Sequence, residues 1–137
     1  MEIEEKLSWN TRLEEAAGIF RENPTDDNLY RLLTIIVSLA RSGGMWMVPV
    51  RSSRETGQPF QLLQTDDGKS WFAAYTDVSQ AEADEVTSIM SMDISASLRA
   101  AEGIEEAAGL MINPWTMAAA LPMNAVRIAL KVMEGAG

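Results

Sequence analysis

The chain has no cysteine and no histidine among its 137 residues. Without cysteine there is no disulfide, no thiolate nucleophile and no thiolate metal site. Without histidine the commonest general base at neutral pH and the commonest transition-metal ligand are gone. Ser–His–Asp triads, Cys–His pairs and ordinary zinc sites are thereby excluded, and only carboxylate, lysine or serine chemistry is left for catalysis. Positive charge is scarce too: 11 Lys and Arg face 20 Asp and Glu, for a net −9, and the basic residues form no run. Neutralising phosphates takes clustered Lys and Arg, so no nucleic-acid partner is expected. No apolar run approaches the roughly 18–20 residues of a membrane span, so no membrane partner is expected either. The opening MEIEEKLSW is acidic where a secretory signal is basic and then apolar, which makes the cytoplasm the expected location.

The apolar (47%) and charged (23%) fractions are those of a globular protein, and the length suits one domain with its own core. Two helices are expected in the first forty residues. Leu13, Ala16, Ala17 and Phe20 recur at helical spacing after Asn10 or Thr11 as a cap, and Asn23-Pro24 stops that helix. Thr25 is a good N-cap for the next one, with Asp26 and Asp27 where the helix dipole favours negative charge. Leu29, Leu32, Leu33, Ile36, Val37 and Ala40 give it a broad buried face, and Ser42-Gly43-Gly44 ends it.

From Met45 the pattern turns to strands. Met45–Arg51 alternates, Ser52–Pro59 is a polar loop, and Phe60–Thr65 and Lys69–Thr76 flank the hairpin turn Asp66-Asp67-Gly68. Ser79 and Glu82 have the spacing of a capping box at a short helix. Val86–Met92 is the next strand, Asp93 caps a helix carrying Ile94, Leu98 and Ala101, and Gly109–Asn113 is a buried strand. Asn113-Pro114-Trp115-Thr116 is a turn, Met117–Leu121 its return strand, and Pro122 opens a last helix buried through Val126, Ala129, Leu130 and Met133. The tail Gly135-Ala136-Gly137 should fray. The order ααβββαβαββα fits an α+β domain with a mixed five- or six-stranded sheet packed by helices. A helical segment covers residues 1–42, the sheet with two short helices 45–122, and the C-terminal helix 122–134.

Motifs that suggest chemistry fail on spacing. Gly68-Lys69-Ser70 resembles the end of a phosphate-binding loop, but Leu63 stands where the loop needs glycine, and two aspartates precede it. A calcium loop fails at the same Leu63. The pairs Glu14-Glu15, Asp26-Asp27 and Glu105-Glu106 point about 100° apart on a helix and read as solvated faces, not as converging acids. No catalytic residue, metal ligand or cofactor-binding residue is assigned, and no enzyme is expected. The excess lies in four Trp and nine Met, residues that either fill a core or anchor a partner. Trp71, Met90, Met92, Arg99, Asn113 and Trp115 form the candidate interaction surface; core packing is the competing reading for the Trp and Met residues, and exposure of Trp46, Trp71 or Trp115 beside Met90 or Met92 would favour a binding groove.

Several pieces in order resemble the SseB N-terminal-domain family, named for enhanced serine sensitivity. They are Asn10-Thr11-Arg12-Leu13-Glu14-Glu15-Ala16, Met47-Val48-Pro49-Val50, Trp71-Phe72-Ala73-Ala74-Tyr75-Thr76-Asp77, Ser97-Leu98-Arg99-Ala100-Ala101 and Gly109-Leu110-Met111-Ile112-Asn113-Pro114-Trp115. The resemblance implies a bacterial cytosolic α+β module, here a single domain over 1–137, with no established catalytic residues to carry over. The functional expectation is a non-enzymatic protein-interaction or accessory module, its partner an unknown protein, a second copy of the chain included. The alternative is a small-molecule-binding regulator linked to amino-acid or sulfur metabolism, with a pocket between the sheet and the Asp93 helix lined by Arg99 and Asn113.

Overall fold

The computed structural model describes residues 3–50, 60–83, 88–114 and 119–135. The expected loop at 52–59, the start of the strand expected from Val86, Trp115 and Thr116 of the expected turn, the first two residues of its return strand, and the last two residues of the tail lie outside them. The helices are α1 (Ile3–Ser8), α2 (Thr11–Glu22), α3 (Asp26–Arg41), α4 (Val78–Ala83), α5 (Ile94–Glu102) and α6 (Met123–Gly135). The strands are β1 (Met45–Pro49), β2 (Leu62–Gln64), β3 (Ser70–Ala74), β4 (Ile89–Asp93), β5 (Ala107–Ile112) and β6 (Ala119–Pro122). The expected order holds from α2 onward, and α1 is an addition: six residues carry too little periodicity to announce a helix.

The strands form a mixed sheet in two parts. β1 pairs with β4 antiparallel, and β2-β3-β5-β6 follow one another with β3 and β5 parallel. Met47 and Tyr75 join the parts by exchanging backbone hydrogen bonds of 2.8 Å each way. Strand alternation then divides the interior in two. Trp46, Val48, Phe72, Ala74, Leu110 and Ile112 face a large core completed by α2, α3, α5 and α6. Met47, Ala73 and Tyr75 face the other way and meet Leu7 of α1 and Ala81 of α4 in a smaller one. The α5–sheet interface is filled by Ile94, Leu98 and Ala101, each at 0% exposure.

Local signals worked where the partner is close in sequence. The Thr25 side chain accepts from the Asn28 amide at 3.2 Å and starts α3. At the β2–β3 hairpin Gly68 adopts φ +85°, and the Asp67 carboxylate accepts from the Thr65 hydroxyl and the Lys69 amide. Those bonds hold the Asp67 pKa below the usual carboxylate range. Three caps came out differently. Asn10 and Asp93 occupy N-cap positions but make no side-chain cap bond. Ser79 sits inside α4, where its hydroxyl donates to the Asp77 carboxylate at 2.7 Å.

Candidate functional site

The parallel strands β3 and β5 end side by side, and the chain just beyond them carries Thr76 and Asn113. Both are 1% exposed, as is Asn10 at the start of α2. Buried polar groups must find partners, and these find one another. The Asn113 Oδ1 accepts from the Thr76 amide at 3.0 Å, and its Nδ2 donates to the Thr76 hydroxyl at 2.9 Å. The Asn10 Nδ2 donates to the carbonyls of Thr76 and Met45, each at 3.0 Å. Thr76 in turn donates its hydroxyl to the Glu14 Oε2 at 3.0 Å. One clamp thus ties α2, the start of β1 and the ends of β3 and β5. It also explains why Asn10 caps nothing: its carboxamide is spent on strands far away in sequence. Asn113 sits at φ +48°, in the left-handed region that Asn tolerates better than most residues. Among the described residues the buried Asn10 Oδ1 has no hydrogen-bond partner.

The clamp reaches solvent through Glu14. Leu7, Ser8, Thr11, Glu14, Asp77 and Val78 line an open cleft of about 360 Å³ beside it. Burial raises the Glu14 pKa; the Thr76 hydroxyl opposes this and the Asp77 charge adds to it. A carboxyl whose folded pKa is raised binds more protons folded than unfolded between its two pKa values. Stability therefore falls as pH rises through that window, and the cost is complete above the folded pKa. Glu14→Gln, which keeps an acceptor for Thr76, is expected to stabilise the protein at pH 7. The gain should stay within about 1 kcal/mol, because a partly exposed carboxylate is screened by solvent, and should vanish below about pH 4. Urea denaturation at the two pH values checks this. A variant less stable at pH 7 would show that the charged form is the one the fold prefers.

The five described residues of the expected surface lie in separate places. Trp71 is half-buried, its Nε1 donating to the Thr65 hydroxyl at 3.2 Å within the hairpin. Met92 and Met90 stand opposite Trp46 and Val48 in the β1–β4 ladder; Met92 packs on the large core, and Met90 is 44% exposed. Arg99 is exposed between α5 and α6, whereas Asn113 is locked in the clamp. Asn113 is not part of the lining of the cleft in which Arg99 stands. Trp115 lies outside the described residues.

A surface absent from the sequence reading lies on the helical layer. Tyr30 of α3 is 74% exposed and shares a cleft with Val132 of α6, which is 47% exposed. Ile128, at 50%, stands one turn before Val132 on the same helix face. The signal was available, since α6 repeats apolar residues on its outer as well as its inner side.

Helices on both sides of a mixed sheet, a polar clamp at the ends of its parallel strands and no cluster of three metal-ligating side chains among the described residues define an α+β domain. The chain belongs to the SseB family: the model of the SseB protein N-terminal domain matches residues 13–128. Neither the curated proteins nor the solved structures contain a match to it. The matched span begins inside α2 and ends inside α6, so Asn10, α1 and Val132 fall outside it.

Proposed function

We propose that this SseB-like domain is a non-enzymatic protein-interaction module that binds through its helical layer. The observation that carries it is the cleft between α3 and α6 with exposed Tyr30 and Val132 in its lining, and exposed Ile128 one turn before Val132 on α6. Exposed aromatic and aliphatic side chains grouped in one place mark interaction sites more often than single ones do. The absence of cysteine and histidine narrows the catalytic repertoire, and the buried polar residues are engaged in holding strands together.

The test is affinity purification of the whole chain at native expression, with mass spectrometry of what is retained. A partner held by the wild type is expected to be lost from a Tyr30→Asp, Val132→Asp chain whose melting temperature is unchanged. Trp71→Ala is expected to keep that partner. No partner above background, or one indifferent to Tyr30 and Val132, sinks the reading.

The cleft beside Glu14 favours a second reading, a small-molecule-binding regulator. Its carboxylates and the Ser8 and Thr11 hydroxyls suit a small amine. A thermal-shift screen of amines and amino acids, with Glu14→Gln as the control, tests that reading.

A further inference from the structure

The outer face of α6 carries two parallel rows. Ile128 and Val132 form an apolar row, and Arg127 and Lys131, one residue earlier in each turn, form a basic row about 100° around the helix. All four are exposed. A cleft lies on each side of the helix. Val132 of the apolar row lines the one shared with α3, of about 390 Å³, where Tyr30 and Arg41 stand. The basic row borders the one shared with α5, of about 310 Å³, where Arg99 joins Arg127 and Lys131.

Basic side chains gather along this helix. In a chain of net −9, four of the 11 basic residues, Arg41, Arg99, Arg127 and Lys131, border α6. Among the described residues, Arg99, Arg127 and Lys131 have no carboxylate within 4.0 Å, although Glu102 and Glu134 line the same cleft. Arg41 is engaged locally, donating to the Val132 carbonyl at 2.8 Å. Asp26 and Asp27 lie about one turn from Tyr30 and limit the face at that end.

We infer that this face of α6 seats an acidic amphipathic helix of a partner protein. The inference rests on the interaction reading above and adds the chemistry of the partner. A helix laid along α6 would set its apolar side on Tyr30, Ile128 and Val132 and its carboxylates opposite Arg99, Arg127 and Lys131. Helix-in-groove recognition reads such paired rows at i and i+4. The exposed cations speed and orient the encounter, and the apolar row supplies contact area.

The probe is a fluorescein-labelled model helix of about five turns, with leucines on one face and glutamates flanking them. Its controls are a twin with lysine for every glutamate and a scrambled Glu/Leu sequence. Anisotropy titration of the whole chain is expected to show the acidic helix binding at least about tenfold more tightly than either control, and more weakly as salt rises. Arg127→Glu with Lys131→Glu should cost at least about tenfold and flatten the salt dependence. Ile128→Ser with Val132→Ser should cost about as much and leave the salt dependence in place. Thermal melts confirm folding, with Arg127→Gln and Lys131→Gln standing in if the charge reversals unfold the chain.

Equal binding of the three peptides, or indifference to both pairs of variants, overturns the inference. So does self-association of the wild type that the same variants abolish, because it assigns the face to a second copy of the chain. If the acidic helix fails while the Tyr30→Asp, Val132→Asp chain still loses its co-purifying partner, the inference falls and the interaction reading stands. If that variant also loses nothing, both fall.

Discussion

Gly109→Ala is expected to destabilise the protein by about 4 kcal/mol or more, beyond the usual range for an added methyl in a packed interior. Gly109 closes the β5–β6 ladder opposite Pro122. A Cβ there would stand 1.9 Å from the Leu121 carbonyl oxygen and 2.9 Å from its carbon. These are backbone atoms of a paired strand, so no side chain can swing aside, and relief requires the two strands to part. Parting them disturbs Leu110 and Leu121, both fully buried and paired across the same ladder. For a domain of this size the loss is a fall in melting temperature of roughly 10–15 °C. Native stabilities of about 5–15 kcal/mol leave the variant near the limit of folding.

Gly18→Ala is the matched comparison. Gly18 lies within α2, and a Cβ there meets nothing within 4 Å. The same chemical change should then stabilise by about 0.5–1 kcal/mol, because alanine loses less backbone entropy in a helix. Urea denaturation of the two variants reads both values. If Gly109→Ala unfolds no more readily than wild type, the close approach of β5 and β6 is not a feature of the native protein.

The features legible in the sequence depend on short separations. Helical periodicity found the buried faces of α2, α3, α5 and α6, and the Asp-Gly turn found the β2–β3 hairpin. Thr25 worked as a cap because its partner lies three residues on. Asn10 and Asp93 look the same on paper, yet a short polar side chain before a helix can bond forward or leave the helix altogether. In Asn10 it leaves, for carbonyls 35 and 66 residues away.

The candidate site was harder to read for the same reason. Glu14 and Glu15 read in the sequence as a solvated pair because neighbours on a helix point about 100° apart. That angle also lets one turn inward: Glu15 is exposed, and Glu14 reaches Thr76. Asn113 is expected at the surface or in a pocket with Arg99, yet it lies buried in the clamp while Arg99 stands in a cleft between α5 and α6. The outer rows of α6 went unread because an apolar residue beside a buried stripe is normally assigned to that stripe. Only the packing shows that Ile128 and Val132 are left outside it.

Asn113 is where the clamp can be taken apart in steps. Asn113→Gly keeps the backbone conformation without strain, since glycine accepts φ +48° freely, but removes both side-chain bonds to Thr76. The Thr76 amide is then buried without that acceptor, and the expected loss is about 2–3 kcal/mol. Asn113→Ala removes the same bonds and adds a Cβ in the left-handed region, for about 1–2 kcal/mol more. The difference between the variants measures the backbone component, and the glycine variant alone measures the side chain. If alanine and glycine are equally destabilising, the positive φ stores no strain. If glycine costs nothing, the carboxamide does not hold the strand ends. Because the clamp lies at the ends of β3 and β5 and the two rows lie on the exposed side of α6, both variants should bind the acidic helix as the wild type does while they remain folded. Weakened binding in a folded Asn113 variant would tie the strand ends to the helical face, and the two sites could no longer be treated as independent.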